Sequence, residues 1–480
     1  MKTPAACKSP VSCFIYVIML LGNSMGGLNR TAAADTRGMA DKDLVYAIYK
    51  EVIEVPSVTG SGNTTIIAGN LKRWLLAEDF PNEDITLVPQ SDGETSLVVR
   101  LRGSSPTLKP ILLMAHMDVV PAVAQAWSTD PFKLVEKDGY YYARGSEDNK
   151  AGVAILIANL IRYKREGFQP ARDIIVALTS DEETSSNAIK NLVNQHRELV
   201  DAAYALNTDA GGGEIRNDHY EVFGVQASEK VYLTFTLTTQ NPGGHSSRPA
   251  PDNAIYELVD ALENIAHYTF PVMLDDVTRA FFRRAAATRQ GQEAADMLAV
   301  SEAEPDLEAA ARLSEQSIYY NALLHTTCVA TRLEAGHADN ALPRSAAATV
   351  NCRIFPSQSP DEVQNILQQL AGDKVRISRV SEPTLSPASP LTPELLSTLD
   401  ALVAENFPGA RLIPSMSTGA TDGLYVRNAG IPVYGVSALF GDPNDARAHG
   451  KDERVLVKSF YQAYDFWYRM VKQLAARAPG

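Results

Sequence analysis

Two rhythms of apolar residues run along this chain. Between residues 41 and 56, Leu44, Val45, Ile48, Val52 and Ile53 fall at helical spacing. A second amphipathic helix is predicted over 64–76 and strands over 85–88 and 95–101. An unbroken apolar run at 111–115 then reads as a strand buried on both faces of a parallel-rich sheet. A helix over 153–162, a strand over 173–179, a helix over 188–199 and a strand over 203–206 continue the alternation, as βαβ units do. Near residue 226 the rhythm changes. Val231, Leu233, Phe235 and Leu237 alternate with Tyr232, Thr234, Thr236 and Thr238, the pattern of a half-buried antiparallel strand and a candidate dimer edge. A helix from about 252 places Ile255, Leu258, Val259, Leu262 and Ile265 on one face. The Ala- and Glu-rich stretch 271–320 is predicted helical and carries no chemical motif; it is long enough to cover that candidate edge. Strands follow at 326–333 and 346–355. Ser359-Pro360-Asp-Glu362 opens a helix that Gly372 closes, and a strand at 375–380 comes next. The last helix is expected over 458–474.

A chain of 480 residues is too long for one ordinary core. The pattern divides it into an α/β domain with a mixed, mostly parallel sheet, 35–225 and 383–480, interrupted by a smaller α+β domain at 226–382. The net charge of −13, with no basic block, argues against nucleic acid as a partner. At the amino terminus, Lys2 and Lys8 precede an apolar segment over 11–21, and small residues follow up to Ala34. This resembles a secretory signal over 1–34 and predicts a periplasmic or secreted protein with no stable membrane span after cleavage; an uncleaved anchor is the alternative. Cys7 and Cys13 lie in that segment, so the mature chain keeps Cys328 and Cys352. Two cysteines make neither a disulfide framework nor a thiolate metal site. They sit symmetrically about residue 340, where a simple hairpin would place them opposite each other, either bonded or as two buried thiols.

The chemistry concentrates where predicted strands end. Ile111-Leu-Leu-Met-Ala-His116-Met-Asp118 closes a buried strand with His-x-Asp, and in an extended chain residues two apart face the same side. Asp148, Glu182-Glu183 and Asp209 follow in the first half, and His449 comes after the insertion. Each has a bland reading alone: a helix cap, a solvated loop, a turn former, a surface histidine. Together they are nitrogen and oxygen donors without thiolates, which suits zinc or a similar divalent ion.

Nine motifs in one order resemble the dinuclear zinc peptidase and deacylase family that includes aminoacylase, acetylornithine deacetylase, succinyl-diaminopimelate desuccinylase and Gly-X carboxypeptidase. They are His116-Met-Asp118, Arg144-Gly-Ser-Glu-Asp148-Asn-Lys150, Asp181-Glu-Glu183, Asn207-Thr-Asp209, Gly243-Gly-His245-Ser-Ser, Asn340-Ala-Leu-Pro343, Arg353-Ile-Phe-Pro356, Thr418-Gly-Ala-Thr-Asp422 and His449-Gly. The branch it looks most similar to has a long helical lid insertion and processes peptides or N-acyl amino acids. One departure is Asp148-Asn149, where many relatives carry Asp-Asp.

The resemblance implies a zinc catalytic domain with an inserted lid and dimerisation domain. It implies two zinc ions per chain, with cobalt or manganese as substitutes, bridged by Asp148 and completed by His116 with Asp209 and by Glu183 with His449. Asp118 would support His116, Glu182 would serve as general base and then acid, and His245 would stabilise the oxyanion, in some relatives from a second subunit. Asn340, Arg353, Thr418 and Gly419 would bind substrate. The implied activity is that of a carboxypeptidase or dipeptidase acting next to a free carboxylate. The alternative is an N-acyl amino acid deacylase, and a non-catalytic binding protein on the same fold is the remote one. A homodimer and a monomer both remain open.

Overall fold

The structure is a computed structural model that describes residues 39–90 and 93–476. The expected signal segment, with Cys7 and Cys13, lies outside the described residues. Three strands set the frame. Ile111–His116 runs parallel to Ile174–Thr179 on one side and to Tyr204–Asn207 on the other. Every residue of the first two is buried, as continuous Ile/Leu/Val runs require when helices cover both faces of a sheet. The full ten-stranded sheet is mixed, as expected. Antiparallel Ile85–Pro89 and Thr95–Leu101 flank one side, and Val433–Gly435, His219–Glu229, Gly212–Arg216 and Phe440–Gly441 extend the other. Arg411–Ser417 pairs parallel to His219–Glu229.

The helix Lys150–Arg165 packs on this sheet beside Asp41–Ile53 and Val457–Ala476, burying Leu156, Leu160, Tyr49, Phe460 and Trp467 in one core. Its last turn carries Arg162, Lys164 and Arg165, the charge sign that suits a helix carboxyl end. Asn187–Gln195 and Gly423–Asn428 contribute to a second core on the opposite face, with Ile189, Leu192 and Val426 against Leu112, Met114 and Ile175. No helix among the described residues is long and apolar enough to cross a membrane.

A separate four-stranded antiparallel sheet has the order Thr327–Ala335, Ser345–Ile354, Val231–Gln240, Val375–Arg379. Helices Ala254–His267 and Pro360–Ala371 close one face over Leu233, Phe235, Leu237 and Val350. Asn253 caps the first helix by accepting from Ile255 N, and Ser359 caps the second by accepting from Asp361 N. Val231–Gln240 is therefore not the edge that its alternation suggested. It is hydrogen-bonded on both sides, and it alternates because one face lies under helices while Tyr232 on the other is exposed. The outer strands are Val375–Arg379 and Thr327–Ala335, and on the latter Val329 and Leu333 are exposed. Cys328 and Cys352 stand opposite each other where Thr327–Ala335 pairs with Ser345–Ile354 and are joined as a disulfide.

The predicted helical stretch forms Asp276–Ala285, Gly291–Val300, Leu307–Gln316 and Ile318–Leu324. These helices do not cover the outer strand Thr327–Ala335. Phe282, Met297, Leu313 and Leu323 share a core with Phe355, Ile413 and Met416, so the bundle leans on Arg411–Ser417 of the large sheet. It thereby forms a wall of the cavity described next.

Candidate metal and catalytic centre

Parallel pairing assembles half of the centre. His116 lies opposite Thr179 and Met114 opposite Asn207, so the segments carrying Asp118, Glu182-Glu183 and Asp209 emerge side by side at one sheet edge. Ligands of open α/β sheets bind at such carboxyl ends. Asp118 is fully buried and organises its neighbours. Its carboxylate accepts Glu182 N at 3.1 Å, Glu183 N at 3.1 Å and Thr59 Oγ1 at 3.0 Å. His116 Nδ1 donates to the Asp118 carbonyl at 3.0 Å, which leaves Nε2 for the cluster.

The other half comes from a small sheet in which Tyr140–Tyr142 pairs with Arg454–Leu456. This pairing sets the loops around 144–148 and 446–453 against each other, and a buried ion pair fixes them. Arg144 Nη1 lies 2.5 Å from Glu453 Oε2, and its Nη2 donates to the carbonyls of His449 and Gly450. Glu453 Oε1 accepts the amides of Glu147 and Asp148 at 2.9 and 3.1 Å. Asp148 is joined to Asn149 by a cis peptide bond. Asn149 Oδ1 accepts Thr208 Oγ1 at 2.7 Å, so the Asn that departs from the Asp-Asp pattern links this segment to the Asp209 turn. Gly152 is required there, because a Cβ would sit 2.1 Å from Thr208 Oγ1.

Asp148 ends up between two histidines. Its Oδ1 lies 2.9 Å from His116 Nε2 and its Oδ2 lies 3.0 Å from His449 Nε2. Asp209 Oδ1 is 3.3 Å from His116 Nε2, and Glu183 Oε2 is 3.0 Å from His449 Nε2. Two sets of donor atoms converge within 4.8 Å, His116–Asp148–Glu183 and His116–Glu182–Asp209. Glu182 thus reaches the cluster as well as Glu183, and His449, more exposed than the others, closes it from the loop side.

The electrostatics have one cause: crowded carboxylates in a buried site. Burial and then Asp209 push Glu182 well above the usual carboxylate range. Burial raises Glu183 to about 7, Asp209 to about 6 and Asp422 to about 8. Burial pushes His116 down, yet Asp209, Asp118 and Asp148 outweigh it and hold the imidazole well above its ordinary value. The hydrogen bond to Asp148 lifts His449 to about 9. For Asp148, burial opposes ionisation, but both histidines favour it and hold the carboxyl below its normal value. The donors are carboxyl groups and two imidazoles, all nitrogen or oxygen, held close enough to compete for protons. Divalent cations fit such a set.

A cavity of about 780 Å³ opens on the cluster, lined by Asp148, Glu182, Glu183, Asp209 and His449. Phe281, Tyr319, Ile413 and Met416 line another part of it, and Thr418 reaches it while Gly419 does not. Three residues singled out in the sequence lie apart from the cavity. His245 is exposed, its Nδ1 accepts from Ser247 N and faces Ser247 Oγ, and its short strand pairs with Ala341–Leu342 beside exposed Asn340. Arg353 is partly buried and stacks on the Tyr232 ring at 4.6 Å. Sequence reading missed the positioning roles of Glu453, Arg144 and Thr59. An arginine opening one motif and a glutamate four residues after His449 were the available signal for the ion pair; Thr59 had none.

The profile of the Peptidase family M20/M25/M40 matches residues 112–473. The human N-fatty-acyl-amino acid synthase/hydrolase PM20D1 is 29% identical over 442 residues, spanning 88% of this chain and 86% of that protein. Among solved structures, the M20 family metallo-carboxypeptidase Sso-CP2 from Sulfolobus solfataricus is similar with a TM-score of 0.64 at 18% identity, covering 90% of this chain and 98% of its own. The Bacillus subtilis YXEP protein, described as a dinuclear metal binding peptidase from the M20 family, is similar with a TM-score of 0.58 at 12% identity, covering 90% and 97%.

Proposed function

The chain belongs to the Peptidase family M20/M25/M40, a family of hydrolases, and on that premise we propose that it hydrolyses an amide bond next to a free carboxylate at a two-zinc centre. One observation carries the reading: the Asp148 carboxylate presents one oxygen to each of two histidines, with Glu182 and Glu183 beside it. His116, Asp148 and Asp209 would hold one ion, and Asp148, Glu183 and His449 the other. Zinc held by these residues would supply Lewis acidity, which makes water a nucleophile at neutral pH and polarises an amide carbonyl. Glu182, whose carboxylate reaches the cluster beside Glu183, would take the proton and deliver it to the leaving nitrogen. Asp118 holds the backbone of Glu182 and Glu183, and so aims both side chains. Arg353 reads the substrate carboxylate with its planar fork, and Asn340 and the Thr418-Gly419 turn complete the binding surface.

A second reading, N-acyl amino acid hydrolysis, is favoured by the apolar wall of the cavity. Phe281, Ile413 and Met416 offer an acyl chain more than a polar peptide would use. Assaying zinc-loaded protein on dipeptides and N-acyl amino acids in parallel separates the readings. Activity on neither rejects both.

His245 would act as an oxyanion donor supplied by a second copy of the chain, with the outer strand Thr327–Ala335 as the pairing edge. Mixing inactive His245→Ala and Glu182→Gln chains should restore activity in hybrid dimers. Mixtures that exchange subunits and stay inactive reject this arrangement. We also propose export by a leader over 1–34 to an oxidising compartment, which accords with the Cys328–Cys352 bond. Amino-terminal sequencing of the exported protein tests it, and an intact residue 1 counts against it.

A further inference from the structure

Lys230 is about 1% exposed, at the point where the chain enters the smaller sheet. Its ammonium donates to the His325 carbonyl. Among the described residues no carboxylate pairs with it. The adjacent Glu229 is already engaged: Arg427 Nη2 lies 2.5 Å from Oε1, and Gln226 and Thr421 donate to Oε2. Burial, and then the positive charge of Arg353, lower the Lys230 pKa to about 7. Arg353 itself has no ion pair among the described residues and rests on Tyr232.

The register explains the encounter. Tyr232 lies opposite Arg353 across the antiparallel pair, so both point to one face, and Lys230 sits two residues before Tyr232, immediately ahead of the strand. The face that Tyr232 and Arg353 share is the one not covered by the two helices of the smaller sheet. Lys230 N also donates to Ser417 O at 3.0 Å, tying it to the turn where Ser417 and Thr418 line the catalytic cavity. Two basic side chains thus lie near each other at the start of the smaller sheet, with no carboxylate paired to either among the described residues. A buried amine without a counterion gives up its proton readily, and an anion arriving from outside would stabilise its charged form.

We propose that Lys230 is a second substrate-binding cation: it and Arg353 together receive the carboxylate of the substrate's amino acid. The proposal rests on the carboxylate-reading function above and adds a residue that none of the nine motifs contains. Arg353 supplies the directional fork, and Lys230 supplies a point charge whose protonated form an arriving carboxylate favours.

The test uses full-length, metal-loaded protein and one substrate pair that differs only in a C-terminal carboxylate or amide. Lys230→Gln keeps a donor for the His325 carbonyl but removes the charge. It should raise KM for the acid on the order of tenfold, with kcat and the rate on the amide little changed. Lys230→Arg should keep the preference for the acid. If wild type prefers the acid and Lys230→Gln keeps that preference, or slows both substrates equally, the Lys230 assignment is wrong while the Arg353 reading stands. If wild type cleaves acid and amide alike, the carboxylate reading itself fails and Lys230 with it. Should Lys230→Gln not fold, loss of the acid preference in Lys230→Arg overturns the proposal, and its retention supports it.

Discussion

The two sheets of this molecule present their chemistry in opposite ways. At the large sheet, every proposed metal ligand and the proposed base meet within one chain, positioned by parallel strand ends and by the buried Arg144–Glu453 pair. At the smaller sheet, His245, Asn340 and Arg353 stand away from the cavity, on exposed or half-exposed surface. The first arrangement is preorganised: Asp118 holds Glu182 and Glu183 by their amides and His116 through its own carbonyl. The second needs either closure of the smaller sheet over the cavity or a second subunit. On the proposed reading, bond breaking falls to the first region, the rigid one, and substrate reading to the second, which that reading requires to be movable or shared. Substitutions in the two should fail differently, in kcat for the first and in KM for the second.

The largest effect is expected in the rigid region. Glu182→Gln should lower kcat by about 10²–10⁴-fold while metal content stays at the wild-type level, since the change removes a proton acceptor. Near wild-type turnover would remove Glu182 from the mechanism. In the movable region, Arg353→Ala should reduce kcat/KM for free-acid substrates by about 10–100-fold, the loss of a charged hydrogen bond of roughly 1.5–3 kcal/mol. It should act mainly through KM and should spare C-terminal amides; a fall in kcat alone would blur the division between the regions. The smallest effect on turnover is expected from Cys328→Ser, which opens a cross-strand bond within the smaller sheet. Melting should show the smaller sheet destabilised by about 2–4 kcal/mol, with kcat per folded molecule unchanged. A loss of kcat matching Glu182→Gln would mean that the two regions are one mechanical unit.

The same contrast marks what the sequence makes legible. The strands of the large sheet announce themselves because residues buried on both faces form unbroken apolar runs, and their ends carry His116, Glu182-Glu183 and Asp209 in plain order. The smaller sheet was legible as strands but not as an arrangement. Alternation in Val231–Gln240 reports a covered and an uncovered face and says nothing about which strand is outermost, so its central position was missed. The helices of 276–324 showed no preference for either sheet in sequence; Phe282 and Met297 settle on Ile413 and Met416 through packing alone. Lys230 escaped notice because a single lysine before a strand is unremarkable until its missing counterion is visible.

The central claim is that one chain supplies a complete two-metal centre at the edge of the large sheet. Elemental analysis of purified, active protein, repeated on Glu182→Gln and after exhaustive chelation, tests it most directly. The account predicts two divalent ions per chain in both proteins and no turnover once they are stripped, with recovery on adding zinc. One ion per chain in fully active protein, or undiminished turnover after the metal is gone, would contradict it.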